Sequence, residues 1–204
     1  SSEIDKYAAQ TYEANYGEKP SGDITQINAE SIPNFDILLA GFPCQAFSIA
    51  GKRGGFNDTR GTLFFDVARI IKAKQPKAFF LENVKGLTNH DHGRTFKIML
   101  DILENKLGYK VYYKVLNAKN FGLPQNRERI MIVGFKNHNI DFKFPEEINK
   151  ETKVGDILID NPDSKYTISD KIWKSHQLRK ERNRAKGNGF GYSLFNEESP
   201  YTST

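Results

Sequence analysis

The chain has 204 residues, enough to bury a sizeable core and to form one domain with part of a second. Its formal charge of +5 arises from 30 basic and 25 acidic residues, a mild bias that favours a nucleic-acid partner only weakly. The single cysteine excludes an intrachain disulfide, and no apolar run suits a signal peptide or a membrane span, so we expect a protein of a reducing, cytoplasmic compartment with no membrane partner.

Strands and helices alternate along the first two thirds of the chain. Residues 7–16 are predicted to form a short helix that ends at Gly17, and the apolar run 37–40 is predicted to form a buried strand. Apolar residues at helical spacing then predict a helix over 63–71, and the run 78–81 predicts the next strand. This β-loop-α-β order indicates parallel strands joined by a right-handed crossover.

The same alternation continues to about Phe135. A helix is predicted over 96–107 and stopped by Gly108, and it is followed by strands near 111–115 and 130–133. The pattern predicts an α/β fold class with a doubly wound, mostly parallel sheet.

The composition changes beyond Phe135, because residues 141–153 are polar and charged. We expect a boundary between 136 and 150, with a core at 1–140 and the start of a smaller second domain at 150–204. A basic cluster at 171–186 is equally compatible with a solvated helix face and with a surface that contacts nucleic acid.

Two predicted strands end in residues that can do chemistry. Cys44, the only cysteine, follows the first strand, and Glu82 and Asn83 follow the second. Ligands of open α/β sheets bind outside the carboxyl ends of the strands, where a thiol is a candidate nucleophile. Taken alone, a cysteine is more often a small buried residue, and a lone glutamate fits a helix cap or a solvated strand end as well as a catalytic acid.

Two further segments carry charge near these strand ends. Residues 48–61 contain four glycines and the basic side chains of Lys52, Arg53 and Arg60, which suits a lid that closes on an anion, although it also suits a plain connection. Arg127 and Arg129 lie at alternate positions just before a strand, so both can face one side. Without further context such arginines are surface ion-pair partners.

Four motifs follow one another along the chain: Pro43-Cys44-Gln45, Arg60-Gly61-x-Leu63, Glu82-Asn83-Val84 and Gln125-x-Arg127-x-Arg129. In this order they resemble the central motifs of DNA (cytosine-5) methyltransferases of the bacterial restriction-modification type, and the resemblance spans about residues 3–135. Four motifs in order on a consistent α/β pattern are far more specific than any one of them. The resemblance implies a Rossmann-like methyltransferase core at 1–140 and the beginning of a target-recognition region at 150–204.

The resemblance also implies a mechanism. The Cys44 thiolate adds to C6 of cytosine, so that C5 can attack the methyl group of S-adenosylmethionine. Glu82, with Asn83 beside it, holds a proton for ring N3. Arg129 pairs with the base carbonyl, and Arg127 braces the thiol loop or the DNA backbone, although these two roles are exchangeable.

Cofactor and DNA contacts follow from the same resemblance. Glu3 is expected on the ribose hydroxyls of the cofactor. Ile4, Asp23 and Ile24 are expected near the adenine, and Gly41, Pro43 and Leu63 on the methionine side. The target cytosine must leave the duplex stack, and the loop would close over it. The residues expected to contact duplex DNA are Gln45, Ser48, Lys52, Arg53 and Arg60.

The chain departs from the family pattern at both ends. The glycine-rich opening motif, most of the target-recognition region and a late asparagine-containing helix are missing, so the chain resembles the middle of such an enzyme. We expect a fragment, a subunit of a split enzyme or part of a rearranged one, completed by missing segments or a companion chain, and inactive alone. Two alternatives stay open: a transfer-RNA cytosine-5 methyltransferase and a non-catalytic nucleic-acid-binding subunit.

Overall fold

A computed structural model of the protein describes residues 1–43, 63–148, 150–189 and 191–203. The chain divides into two compact units. The first comprises residues 1–116 and 128–145, and the second comprises residues 117–127 and 146–204. The roles predicted for 1–140 and 150–204 remain predictions, because the units describe packing and not function.

The first unit contains the helices and strands that the sequence pattern predicts. The elements are α1 (Lys6–Tyr16), β1 (Ile37–Gly41), α2 (Leu63–Lys74), β2 (Ala78–Val84), α3 (Arg94–Asp101), β3 (Lys110–Asn117) and, after the short strand β4 (Gln125–Asn126) of the second unit, β5 (Glu128–Phe135). The last residue of β3 belongs to the second unit. Helix α1 ends at Gly17, whose φ of +69° is a left-handed conformation that glycine adopts without strain. Helix α3 continues as a π-helical turn, Ile102–Lys106, before Gly108.

The main sheet has the strand order β1-β2-β5-β3, which confirms the α/β fold class. Strands β1 and β2 are parallel, as predicted from the crossover through α2, and Gly41 lies opposite Glu82. Strand β5 runs antiparallel to β2, with Arg129 opposite Val84, so the sheet is mixed at this point. The connection 118–127, which joins β3 to β5, contains only a short 3₁₀ turn and a two-residue strand. It contains no crossover helix of the kind that joins parallel strands.

The core lies between α2, α3 and one face of the sheet. Phe64 and Ile71 of α2 are fully buried there against Phe79 and Leu81 of β2 and Ile132 of β5. Each such side chain contributes about 1.5–3 kcal/mol when it leaves water. Burial alternates along β2, as expected for a strand with one face on a core.

Aromatic packing closes the end of this core. The Tyr109 ring lies 5.1 Å from that of Phe79, and its hydroxyl donates a hydrogen bond of 2.7 Å to the Pro76 carbonyl. Burial raises the pKa of the Tyr109 phenol to about 12. A Cβ at Gly134 would overlap the Phe79 ring, so only glycine fits opposite it.

The second unit contains a small parallel sheet and a long helix. Strands β4 (Gln125–Asn126) and β6 (Thr202–Ser203) pair, and the Thr202 amide donates to the Pro124 carbonyl at 2.8 Å. Helix α4 (Asp170–Ala185), all of which the structure describes, has no buried residue and carries most of the basic cluster. Its Lys180 ammonium lies 4.2 Å from the centre of the Tyr192 ring. No helix within the described ranges combines the length and apolar character that crossing a membrane requires.

Candidate active site

The candidate site lies where β1 and β2 end. The parallel register places Gly41 opposite Glu82. A Cβ at Gly41 would lie 3.5 Å from Glu82 Oε2, so glycine leaves room beside the carboxylate. The described backbone then continues through buried Phe42 to exposed Pro43, the residue before Cys44. Five other predicted site residues lie with Cys44 outside the described residues: Gln45, Ser48, Lys52, Arg53 and Arg60.

Glu82 and Arg129 form an ion pair at this edge of the sheet. Arg129 Nε lies 2.8 Å from Glu82 Oε1, and the two side chains keep 20% and 34% of their exposure, respectively. The antiparallel register explains the meeting, because Arg129 stands opposite Val84, two residues along the same face from Glu82. An ion pair with this much solvent contact contributes at most about 1 kcal/mol to the free energy of folding. A bound base could therefore separate the two groups with only a small loss of free energy.

A neighbouring ion pair supports the same edge. Lys85 Nζ lies 2.9 and 3.0 Å from the two carboxylate oxygens of Glu128. The Glu128 carbonyl in turn accepts a hydrogen bond of 2.8 Å from Arg129 Nη1. The Arg129 guanidinium is therefore held both by its own strand and by Glu82.

Asn83 points to the opposite face of the sheet from Glu82. Asn83 is only 1% exposed, and its Nδ2 donates a hydrogen bond of 2.7 Å to the Phe42 carbonyl. Its Oδ1 accepts from the Val84 amide at 2.9 Å. The motif predicts Asn83 as a catalytic residue beside Glu82, but this geometry suits a residue that holds the backbone before Cys44.

We expect Asn83→Ala to destabilise the protein by about 1–3 kcal/mol, because the buried Phe42 carbonyl loses its donor. Asn83→Asp should be at least as damaging, since a carboxylate cannot donate to that carbonyl. Urea unfolding followed by circular dichroism measures both variants. Asn139→Ala, at an exposed asparagine of the same unit, is the control and should change stability by less than about 0.5 kcal/mol. Equal urea midpoints for Asn83→Ala and Asn139→Ala would contradict the role.

Arg127 belongs to the second unit and its side chain is exposed. Its amide donates to Asn117 Oδ1 at 3.1 Å, and its carbonyl accepts from the Ala118 amide at 3.0 Å. Asn117 also donates from Nδ2 to Asn126 Oδ1 at 2.7 Å. Asn117 thus shapes the segment that carries Arg127, a role that the sequence analysis missed although an asparagine at a strand end is a turn signal.

The predicted cofactor residues near the N-terminus come together in the first unit. Ser2 Oγ donates to the Gly22 carbonyl at 2.5 Å, and the Ser21 amide donates to the Ser1 carbonyl at 2.9 Å. These bonds place the segment with Glu3 and Ile4 beside the segment with Asp23 and Ile24. The position of Leu63 is also described: it is the first residue of α2 and packs against the core.

The carboxylates of this pair of segments are fixed by local hydrogen bonds. Glu3 Oε1 accepts from the Asp5 amide at 2.8 Å, and Asp23 Oδ1 accepts from the amide and hydroxyl of Thr25 at 2.9 and 2.8 Å. These bonds use one oxygen of each carboxylate. An ionised carboxylate can accept hydrogen bonds at both of its oxygens. Ile4 is exposed, and Ile24 packs partly on the core. Within the described ranges, no three His, Cys, Asp or Glu side chains gather as a metal site.

Comparison with known proteins gives a family match along the whole chain. The profile of the family described as "C-5 cytosine-specific DNA methylase" matches residues 1–204. The chain is 62% identical over 205 residues to Type II methyltransferase M.NlaX of Neisseria lactamica and 59% identical over 208 residues to Type II methyltransferase M1.ScrFI of Lactococcus lactis subsp. cremoris. Each match covers 100% of this chain but only 65% and 53% of the relative, respectively.

Solved structures resemble the chain in fold. A Spodoptera frugiperda DNMT2 mutant superposes with a TM-score of 0.69 at 20% identity, over 100% of this chain and 60% of that one. The S. pombe Dnmt2 methyltransferase gives a TM-score of 0.66 at 14% identity, over 100% of this chain and 61% of that one. At such identities the likeness shows a methyltransferase fold and nothing finer.

Proposed function

We propose, from the premise that this chain belongs to the C-5 cytosine-specific DNA methylase family, that its enzyme methylates C5 of cytosine in duplex DNA. The single observation that best supports the activity is the Glu82–Arg129 pair. It lies at the edge of the sheet where β1 ends and the chain continues to Cys44. Names of the bacterial relatives suggest a Type II restriction-modification enzyme, and we propose the bacterial cytoplasm as its compartment.

The covalent step uses the thiol that follows β1. The Cys44 thiolate forms a bond to C6 of the cytosine, and ring N3 takes the proton that Glu82 holds, so that no charge accumulates on the ring. C5 is then nucleophilic enough to take a methyl group from a sulfonium donor, and the bond between that methyl group and the donor sulfur breaks. Loss of the C5 proton, return of the N3 proton to Glu82 and expulsion of the thiolate restore the aromatic ring and free the enzyme.

Arg129 orients this chemistry. Its guanidinium can donate to the base carbonyl while it remains bonded to the Glu128 carbonyl. The protonated Glu82 carboxyl, which donates to N3 and accepts from the exocyclic amine, and this guanidinium then match the donor and acceptor pattern at the edge of cytosine. Because a stacked base is out of reach, the target nucleotide must be rotated out of the duplex, and we assign Gln45, Ser48, Lys52, Arg53 and Arg60 to the DNA contacts.

S-adenosylmethionine supplies an electrophilic methyl group on a sulfonium. The described residues fit it, because ribose hydroxyls donate to a carboxylate such as that of Glu3, the amino group of an adenine donates to one such as that of Asp23, and the Ile4 and Ile24 side chains offer apolar surface to the adenine. Gly41, Pro43 and Leu63 are assigned to the methionine side.

We also propose that residues 150–204 begin the target-recognition region. The exposure of α4 and its basic side chains support contact with DNA phosphates. A solvated helix face without contact to DNA remains the alternative.

A trapping experiment tests the activity. The full-length enzyme that carries this chain is incubated with S-adenosylmethionine and a pool of random duplexes containing 5-fluorocytosine. C5 of 5-fluorocytosine carries fluorine in place of the proton that is normally lost, so the thiolate is not expelled and the adduct accumulates. We expect mass spectrometry to find one methylated fluorocytosine bound to the peptide with Cys44, and none with unmodified cytosine.

Other results of this experiment would select the alternatives. An adduct with fluorocytosine-containing RNA and none with DNA would indicate a transfer-RNA methyltransferase. Binding of nucleic acid without any adduct would indicate a non-catalytic binding subunit. Because the pool contains random sequences, the unknown recognition sequence does not limit the test.

A further inference from the structure

Arg69, in the middle of α2, joins this helix to a 3₁₀ turn, Ile24–Gln26, which directly follows Asp23. Asp23 and Ile24 are two of the predicted cofactor residues. Arg69 Nη1 donates to the Ile27 carbonyl at 2.8 Å, and its Nη2 donates to the Ile24 carbonyl at 3.0 Å. Nη2 also lies 3.1 Å from Asp66 Oδ1, one helical turn earlier. Two of these three contacts join residues more than forty positions apart in sequence through a single guanidinium.

Asp66 orients the Arg69 guanidinium towards the turn. Its side chain is only 8% exposed, so its charge is almost fully withdrawn from water and needs a partner. Arg69 supplies that partner, and the planar fork of the guanidinium leaves other N–H groups aimed at the two carbonyls. A lysine at this position would keep the charge but could not reproduce the fork.

The turn is therefore held from two sides. The Ile24 side chain packs against the core of the first unit, while Arg69 holds the carbonyls of Ile24 and Ile27. Asp23, the residue before this turn, is exposed and binds Thr25 through one carboxylate oxygen. Fixing the turn thus fixes the direction of the Asp23 carboxylate.

We propose that Arg69, oriented by Asp66, is a positioning residue for the cofactor: it holds Asp23 and Ile24 where S-adenosylmethionine binds. The inference rests on the proposed function. It assigns Arg69 no contact with the cofactor itself. Nothing in the sequence signals this role, since an arginine within an amphipathic helix resembles any solvated cation.

The same helix offers a matched control. Lys74 Nζ donates to the Glu30 carbonyl at 3.0 Å, so it also ties α2 to a 3₁₀ turn, Ala29–Ser31. That turn carries none of the predicted cofactor residues. A general loosening of α2 against these turns would appear in both variants, whereas a positioning role appears only in Arg69.

The test compares Arg69→Ala, Arg69→Lys and Lys74→Ala in the full-length enzyme. We expect Arg69→Ala to raise both the Kd and the KM for S-adenosylmethionine by about tenfold or more, the effect of losing charged hydrogen bonds. The kcat at saturating cofactor should stay within about twofold of the wild type. Arg69→Lys should restore part of the affinity, and Lys74→Ala should bind as the wild type does.

A double variant sharpens the test. If Arg69 acts through the turn, then Asp23→Ala and Arg69→Ala will weaken cofactor binding by less together than the product of their separate effects. Calorimetry gives the Kd, and thermal unfolding shows that each variant is folded. If Arg69→Ala does not fold, Arg69→Lys supplies the comparison with Lys74→Ala.

Three outcomes would overturn the inference. Wild-type affinity in Arg69→Ala, or equal losses in Arg69→Ala and Lys74→Ala, would overturn it while the proposed function stands. A wild-type enzyme that binds no S-adenosylmethionine would overturn both.

Discussion

We expect the Cys44→Ser enzyme to bind DNA and S-adenosylmethionine like the wild type and to lose methyl transfer by about a thousandfold or more. A cysteine thiol ionises near pH 8.5, whereas a serine hydroxyl is almost never ionised near neutrality. The replacement keeps the size of the side chain. The loss would therefore report the nucleophile and not the shape of the loop.

Transfer of a tritiated methyl group measures turnover, and fluorescence anisotropy of a labelled duplex measures DNA binding. The 5-fluorocytosine adduct should disappear in the same variant. Methylation near the wild-type rate would reject Cys44 as the nucleophile. Loss of DNA binding together with turnover would show that the substitution disturbed the loop, and Cys44→Ala would then be needed to separate the two effects.

Glu82→Gln should reduce the single-turnover rate of methyl transfer by about a hundredfold to ten-thousandfold, the range expected for a lost general acid. Glutamine is isosteric with glutamate, and its Oε1 can still accept the hydrogen bond from Arg129 Nε, which lies 2.8 Å away in the wild type. The geometry of the strand end is thereby kept. What is removed is the ability to hold and release a proton.

Glu128→Gln is the matched control for this substitution. Glu128 lies on the neighbouring strand β5 and pairs with Lys85, so it is also a half-exposed glutamate in an ion pair at this edge. We expect its variant to stay within about threefold of the wild-type rate, because exposed pairs contribute little. Equal losses in both variants would mean that the ion pairs matter only for structure. A wild-type rate in Glu82→Gln would reject the acid.

Local patterns were sufficient for most elements of the first unit. The apolar spacing in α2 reflects a single buried face, and that is a property of neighbouring residues. Gly17 and Gly108 both adopt positive φ where the sequence analysis ended helices. The short strands β4 and β6 were not predicted, because a two-residue strand is too short to show a period.

The different roles of Glu82 and Asn83 could not be predicted from the motif. Adjacent residues of a strand face opposite sides, but which side is the core depends on where α2 and α3 pack. The structure buries Asn83 against the Phe42 carbonyl and leaves Glu82 beside Arg129. One residue therefore holds backbone, and the other is available for a ligand.

By itself, the sequence determined the α/β class, the order of the motifs and the identity of the residues that carry the proposed chemistry, because periodicity and motif spacing are local. Only the tertiary structure decided that β5 runs antiparallel to β2, that Arg129 meets Glu82, and that Arg69 reaches the turn beside Asp23. These are long-range pairings. They depend on how elements far apart in the chain pack together, and no local pattern contains that information.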